Sequence, residues 1–296
     1  MMKNHAVSHV RAFIRLSRLK FLAGGIFGFG LGAVVARNDG FGITLGAYVL
    51  GQVMVTAFHL MVHYANDYYD RFCDAGADRT AWSGGSGVLQ SGVIAPAVAL
   101  GAALACAGIG IVAAAGFALR GNAAAAGAGL AGGVLGWIYS APPARLLARG
   151  WGELDTALLI AILFPLAGYL AFAPVPTARL FASALPSFAA MLVLMFCVEY
   201  PDADVDRATG KLNLVARLGR RRARILVYAS VAAIYGAGIA APALGAAWAL
   251  PLFLALTIPL GWSLCARIGT ASDAEIAARG VAVFVVTILG SALAYL

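Results

Sequence analysis

The chain has 296 residues, of which 62% are hydrophobic and only 11% charged, whereas a soluble domain carries roughly 25% charged residues. Stretches of about twenty residues without Lys, Arg, Asp or Glu recur along it, apolar all round rather than along one stripe, which argues against a water-soluble globular fold. The net charge of +8 does not indicate nucleic acid, because the basic residues gather at one set of span ends, where anionic headgroups attract them.

The first apolar run, 19–36, follows a basic N-terminal stretch and is read as an uncleaved span, not a signal peptide. Its small residues, Gly24, Gly25, Gly28, Gly30 and Gly32, suit close helix packing in lipid. The second run, 41–65, leads into Asn66-Asp67-Tyr68-Tyr69-Asp70-Arg71-Phe72-Cys73-Asp74. If its helix continues, Asn66, Asp67, Asp70 and Asp74 share one polar stripe, since residues three or four apart lie on one face. The segment at about 66–92 is longer than a turn, and runs 93–119 and 122–140 follow it.

Glu153 precedes the fifth run, 154–173, where it can cap a helix; Asp155 and Glu199 are read as structural. The sixth run, 178–199, ends at a second cluster, Asp202-Ala203-Asp204-Val205-Asp206, after which the basic stretch 217–224 reads as a topology anchor. Runs 225–241, 246–266 and 276–296 complete nine predicted spans. Pro165, Pro186 and Pro251 are expected to kink their helices. Cys73, Cys106, Cys197 and Cys265 are widely spaced, lack a CxxC pair and are read as unpaired thiols.

A cytoplasmic N-terminus places eighteen of the 21 Lys and Arg residues inside, leaving Arg37, Arg120 and Arg179 outside. It also brings every acidic residue except Asp39 to the inner side, so the two aspartate clusters can meet. The expected architecture is all-α: a polytopic membrane protein of nine transmembrane helices forming one domain over 1–296.

Seven of the thirteen acidic residues fall in or beside these clusters: Asp67, Asp70, Asp74, Asp78, Asp202, Asp204 and Asp206. Gathered carboxylates repel one another, and a bridging divalent cation relieves that repulsion. An oxygen-only donor set, Asn66, Asp67, Asp70, Asp74, Asp202 and Asp206, favours Mg²⁺. Two facing sets suggest two Mg²⁺ ions clamping a diphosphate. The competing account is that these aspartates cap helices or pair with Arg71, Arg79, Arg207 and Lys211, but carboxylates at a membrane edge are costly and usually functional. A cation-coupled transporter would place them nearer the bilayer midplane, between broken helices. A scaffold without catalytic activity leaves both clusters unexplained. His59 and His63 lack an HExxH pattern and are read as cavity lining.

The two clusters, read as NDxxDxxxD and DxxxD, resemble the motifs of the intramembrane prenyltransferases of the UbiA superfamily. The likeness extends through Ser83 to Gly92, Tyr139-Ser140-Ala141-Pro142-Pro143 with Arg145, Gly150-Trp151-Gly152-Glu153, and Asp206 through Gly210-Lys211 to Gly219. Among the branches the chain looks most like the 1,4-dihydroxy-2-naphthoate polyprenyltransferases of menaquinone synthesis, with His63 and Asn213 standing where Asn and Thr are common. The positive-inside pattern suits a multi-pass protein of the plasma membrane, and the resemblance implies a helical bundle with a central cavity open to the cytoplasm and a side opening to lipid.

It further implies that Asp67, Asp70, Asp202 and Asp206 are catalytic, holding Mg²⁺ on a prenyl diphosphate whose allylic C–O bond breaks as an aromatic acceptor attacks. By loop position Lys211, Arg145 and Arg79 are the candidates to meet the diphosphate, with Arg18 and Lys20 as weaker ones. Asn66 and Asp74 would join them, and Tyr139 and Ser140 would line the acceptor or cation site. Tyr68 and Tyr69 would stack near the cation, and His63 would contact the acceptor or take its proton. Acceptors in the family include naphthoates, 4-hydroxybenzoate, homogentisate and haem. Neither nucleic acid nor an obligate protein partner is expected.

Overall fold

In a computed structural model the described residues are 2–76 and 79–296, with side chains from His9 onward, and they include helices but no strand. Asp78 and the side chain of Lys3 lie outside the described residues. Nine helical segments among these residues are long and apolar enough to cross a membrane, matching the nine runs read from the sequence. Large apolar side chains such as Leu119, Leu252 and Trp262 stand exposed on the outer faces, as lipid contact requires.

The N-terminal stretch is helical, which the apolar pattern did not anticipate: α1 (Met2–Leu16) runs to a break at Arg18, whose φ of 46° is left-handed. A short turn, Leu19–Phe21, leads into α2 (Leu22–Asn38). Next come α3 (Leu45–Asp70) and α4 (Pro96–Ala118), the latter opening on a proline at a position where no helical N–H is lost. Helix α5 (Ala123–Ser140) is capped by Asn122, which accepts from Ala125 N at 3.0 Å and donates to Leu170 O at 2.8 Å.

The fifth span is split. Helix α6 (Gly152–Leu158) widens into a π-turn at Leu159–Leu163 before α7 (Phe164–Leu170), where Pro165 removes one helical donor. Helix α8 (Ala178–Glu199) is the most buried of the nine spans and passes Pro186 unbroken. Two short helices, α9 (Ala203–Thr209) and α10 (Leu214–Leu218), carry the second cluster and its sequel. Helices α11 (Arg220–Ala240), α12 (Leu250–Ala255), α13 (Ile258–Arg267) and α14 (Asp273–Leu293) complete the chain. Pro251 stands at the start of α12, within an eighth span that is interrupted before α13.

Two glycines allow α2 and α7 to touch backbone to backbone. A Cβ on Gly32 would overlap the Pro165 carbonyl, and one on Gly168 would overlap the Phe29 carbonyl. Further along the same seam, a Cβ on Gly28 would lie 2.7 Å from Ile160 O. Gly30 is different, since its nearest neighbour would be the Tyr48 hydroxyl at 3.7 Å. The seam explains Gly28 and Gly32 among the small residues of α2; Gly30 needs another reason.

Candidate active site

The first aspartate cluster follows the end of α3 and the second opens α9, and both contribute to the border of a cavity of about 470 Å³. The last turns of α3 supply Asn66, Asp67 and Asp70. The helix stops there, however, and Asp74 reaches the site from a separate turn, Cys73–Gly76. The expected single stripe is therefore three residues on a helix plus a fourth brought back by the turn. The loop after it lies close against that carboxylate: Gly85 has φ of 69°, and a Cβ there would overlap Asp74.

The Lys211 ammonium stands among three carboxylates, 3.8 Å from Asp70, 3.5 Å from Asp74 and 3.6 Å from Asp206. Burial pulls its pKa down, but Asp70, Asp74 and Asp206 outweigh that and hold it well above the usual lysine range. Asn213 donates to Asp206 at 2.7 Å while its own Oδ1 caps α10 by accepting from Ala216 N at 2.7 Å. Gly84 N donates to Asp202 at 2.9 Å, and the other Asp202 oxygen is buried without a partner among the described residues. Burial pushes both Asp202 and Asp206 up to about 6; the negative charge of Asp206 adds to the effect on Asp202, whereas Lys211 works against it at Asp206.

Asp67 is held by the Arg18 guanidinium and the Ser86 hydroxyl. Arg18 also donates to Asn66 at 3.3 Å, and Asn66 donates to Asp70 at 2.7 Å and to Ser140 at 3.1 Å. Arg79 borders the cavity and donates to the carbonyls of Gly84 and Asp74 at 3.1 and 3.2 Å. Arg145, with φ of 44°, borders neither this cavity nor its neighbour, though its charge acts on Asp70. Tyr68 and Tyr69 also line neither: Arg71 stacks over Tyr68 at 4.7 Å, and Tyr69 packs edge-on to Trp137. Asp204 is exposed.

A second cavity of about 180 Å³ continues from the first, sharing Arg18, Asn66, Trp82 and Tyr139 as wall residues. Beyond the shared residues its lining is largely apolar, with Leu159, Ile160, Met191 and Phe284, and its polar members there are His59, His63, Asp155 and Thr156. His63 Nδ1 lies 2.9 Å from the Ser17 carbonyl. A carbonyl can only accept, so Nδ1 carries the proton and Nε2 keeps its lone pair.

The carboxylates outnumber their cations, and every donor in the set is a hard oxygen, which suits Mg²⁺. Among the described residues no three His, Cys, Asp or Glu side chains close on one point as a protein-only metal cage; Lys211 occupies the place between them. Mg²⁺ needs only one or two carboxylates when water and substrate phosphate complete its shell, so the residues present fit it. Sequence reading did not single out Ser86, Asn213 or Trp82 for the site, and it placed Asp155 outside it. Ser86 lay in a noted glycine-rich segment and Asn213 was noted only as a departure from Thr, while Trp82 gave no pattern.

The UbiA prenyltransferase family model matches residues 25–289. None of the curated proteins matches the chain in sequence. A UbiA homologue from Archaeoglobus fulgidus bound to GPP and Mg²⁺ superposes with a TM-score of 0.64 at 20% identity, covering 96% of this chain and 99% of that one. An apo UbiA homologue from Aeropyrum pernix K1 gives 0.71 at 17% identity, over 90% and 96%. A structure of digeranylgeranylglyceryl phosphate synthase gives 0.64 at 16%, over 97% and 99%. At these identities the likeness is one of fold.

Proposed function

The chain belongs to the UbiA prenyltransferase family, and on that premise we propose that it transfers an isoprenyl chain from an allylic prenyl diphosphate to a hydroxylated aromatic acceptor, with Mg²⁺ at its carboxylates. The observation that carries this reading is the set of Asp70, Asp74 and Asp206 around Lys211 at a charged cavity that adjoins an apolar one. The charged cavity suits the diphosphate head, and the apolar one beside it suits an aromatic ring set against C1. The A. fulgidus homologue bound to GPP and Mg²⁺ supports the choice of ligand.

Asn66, Asp67, Asp70, Asp74, Asp202 and Asp206 would hold the metal, the two clusters suiting two ions. Bound Mg²⁺ neutralises the diphosphate and stabilises the charge that develops on the leaving oxygen. Lys211, Arg79, Arg18 and Lys20 border the same cavity and offer donors to the phosphate oxygens. Tyr139 lines both cavities, at the junction where the allylic C1 would lie. There the C1–O bond breaks, the acceptor ring forms a bond to C1, and a ring proton, or CO₂ from a carboxylated acceptor, leaves. Phe21, Met195 and Val198 line the shared region and exclude water that would intercept the cation.

We place the acceptor among the dihydroxynaphthoates, in quinone synthesis of the menaquinone type, on the motif likeness set out above. The one-sided distribution of Lys and Arg supports a multi-pass plasma-membrane protein, a single domain whose site faces the cytoplasm. The test is purified protein with Mg²⁺, geranyl diphosphate and a panel of acceptors including a glyceryl ether phosphate, following diphosphate release and product mass. A prenylated naphthoate, abolished by EDTA and reduced at least a hundredfold by Asp70→Asn or Asp206→Asn, is the expected result. Turnover of another acceptor alone would replace the acceptor assignment, and turnover unaffected by EDTA would remove the metal.

A further inference from the structure

Asp155 sits in the first turn of α6, is 5% exposed, and lines the apolar cavity. Neither of its carboxyl oxygens meets a hydrogen-bond donor among the described residues. A buried carboxyl without partners carries its full desolvation cost. It is therefore a costly residue for packing alone, and it adjoins a space that a ligand can enter. His63 lines the same cavity with its Nδ1 proton committed to Ser17 O, so that ring has only a lone pair left to offer. His59, also in the lining, has a buried Nδ1 without a partner among the described residues.

An isoprenyl tail would leave all of these groups unsatisfied. An occupant that carries hydroxyl donors on an apolar ring would pair with them and fill the apolar wall. We propose that Asp155 is the specificity-determining residue for the acceptor, taking a hydrogen bond from a ring hydroxyl and so selecting hydroxylated aromatics over rings without a donor. The proposal rests on the prenyltransferase reading. It adds a role for a residue outside both aspartate motifs.

The experiment is equilibrium binding to the full chain in detergent micelles, with 1-naphthol and 1-methoxynaphthalene as probes that share a ring system but differ in the donor. Binding of geranyl diphosphate with Mg²⁺ is measured in parallel. The wild type should favour the naphthol by about tenfold to a hundredfold, the range for hydrogen bonds to charged groups. Asp155→Leu should bring the ratio close to one and leave geranyl diphosphate binding unchanged. Because it removes an unpartnered buried carboxyl, it should also raise the thermal unfolding midpoint, which loss of a structural residue would not do.

Equal binding of the two probes by the wild type, failure of both to bind, or a preference that survives Asp155→Leu would overturn the proposal. A variant that loses stability or does not fold would overturn it too, by showing the carboxyl to be structural. Failure of the prenyltransferase reading is distinct, since it would appear as wild-type protein that does not bind geranyl diphosphate.

Discussion

Two carboxyls outside the membrane spans, Asp202 and Asp206, are pushed by burial up to about 6, against an ordinary 3.8. A native state that binds protons more tightly than the unfolded chain is stabilised by acid, so in the absence of metal the fold gains stability as pH falls from above 6 towards 4. Metal binding runs the other way, because the same oxygens must be free of protons to act as ligands. The upward shift in unfolding midpoint on adding Mg²⁺ should therefore be largest near pH 7.5 and largely gone by pH 5. Thermal scans with Mg²⁺ or EDTA at a series of pH values check this. An equal Mg²⁺ shift at pH 5 would show that neither carboxyl takes part.

At the level of helices, the apolar runs were legible because hydropathy alone marks a span. What could not be read were the interruptions. Arg18 turns left-handed between α1 and α2, the fifth span opens into a π-turn, and Asp74 leaves the α3 axis; each depends on tertiary contacts more than on local composition. The glycines were legible as small residues but not by partner. Gly32 meets the Pro165 carbonyl, whereas Gly30 meets only a distant hydroxyl. Gly32→Val should consequently lower the unfolding midpoint in detergent by several degrees or prevent assembly, while Gly30→Ala should leave it nearly unchanged. Comparable melting of the two variants would mean that the seam between α2 and α7 yields more easily than its geometry says.

For the whole molecule, the spacing of charged residues announced where the functional end of the bundle lies, since two runs of aspartate within apolar surroundings leave few alternatives. The convergence on Lys211, the grip of Arg18 and Ser86 on Asp67, and the place of Asp155 in a second cavity are long-range facts that no local pattern encodes. The Lys and Arg bias predicts that Asp204, exposed beside the site, faces the cytoplasm. In a variant lacking the native cysteines, Asp204→Cys should react with a membrane-impermeant thiol reagent in inside-out vesicles and be protected in right-side-out ones. The reverse labelling would invert the topology.

The seam between α2 and α7 reaches as far as Ile160, which is also part of the deeper cavity's wall. Backbones in contact have no slack, so on that side the cavity is a fixed gauge. Helix α14 contributes Val281, Phe284 and Val285 to the same cavity, side chains that can be trimmed or rotated without disturbing a backbone contact of this kind. Changes meant to admit a bulkier ring, whether made in the laboratory or by natural variation, should therefore accumulate on α14 and leave the glycines of α2 alone.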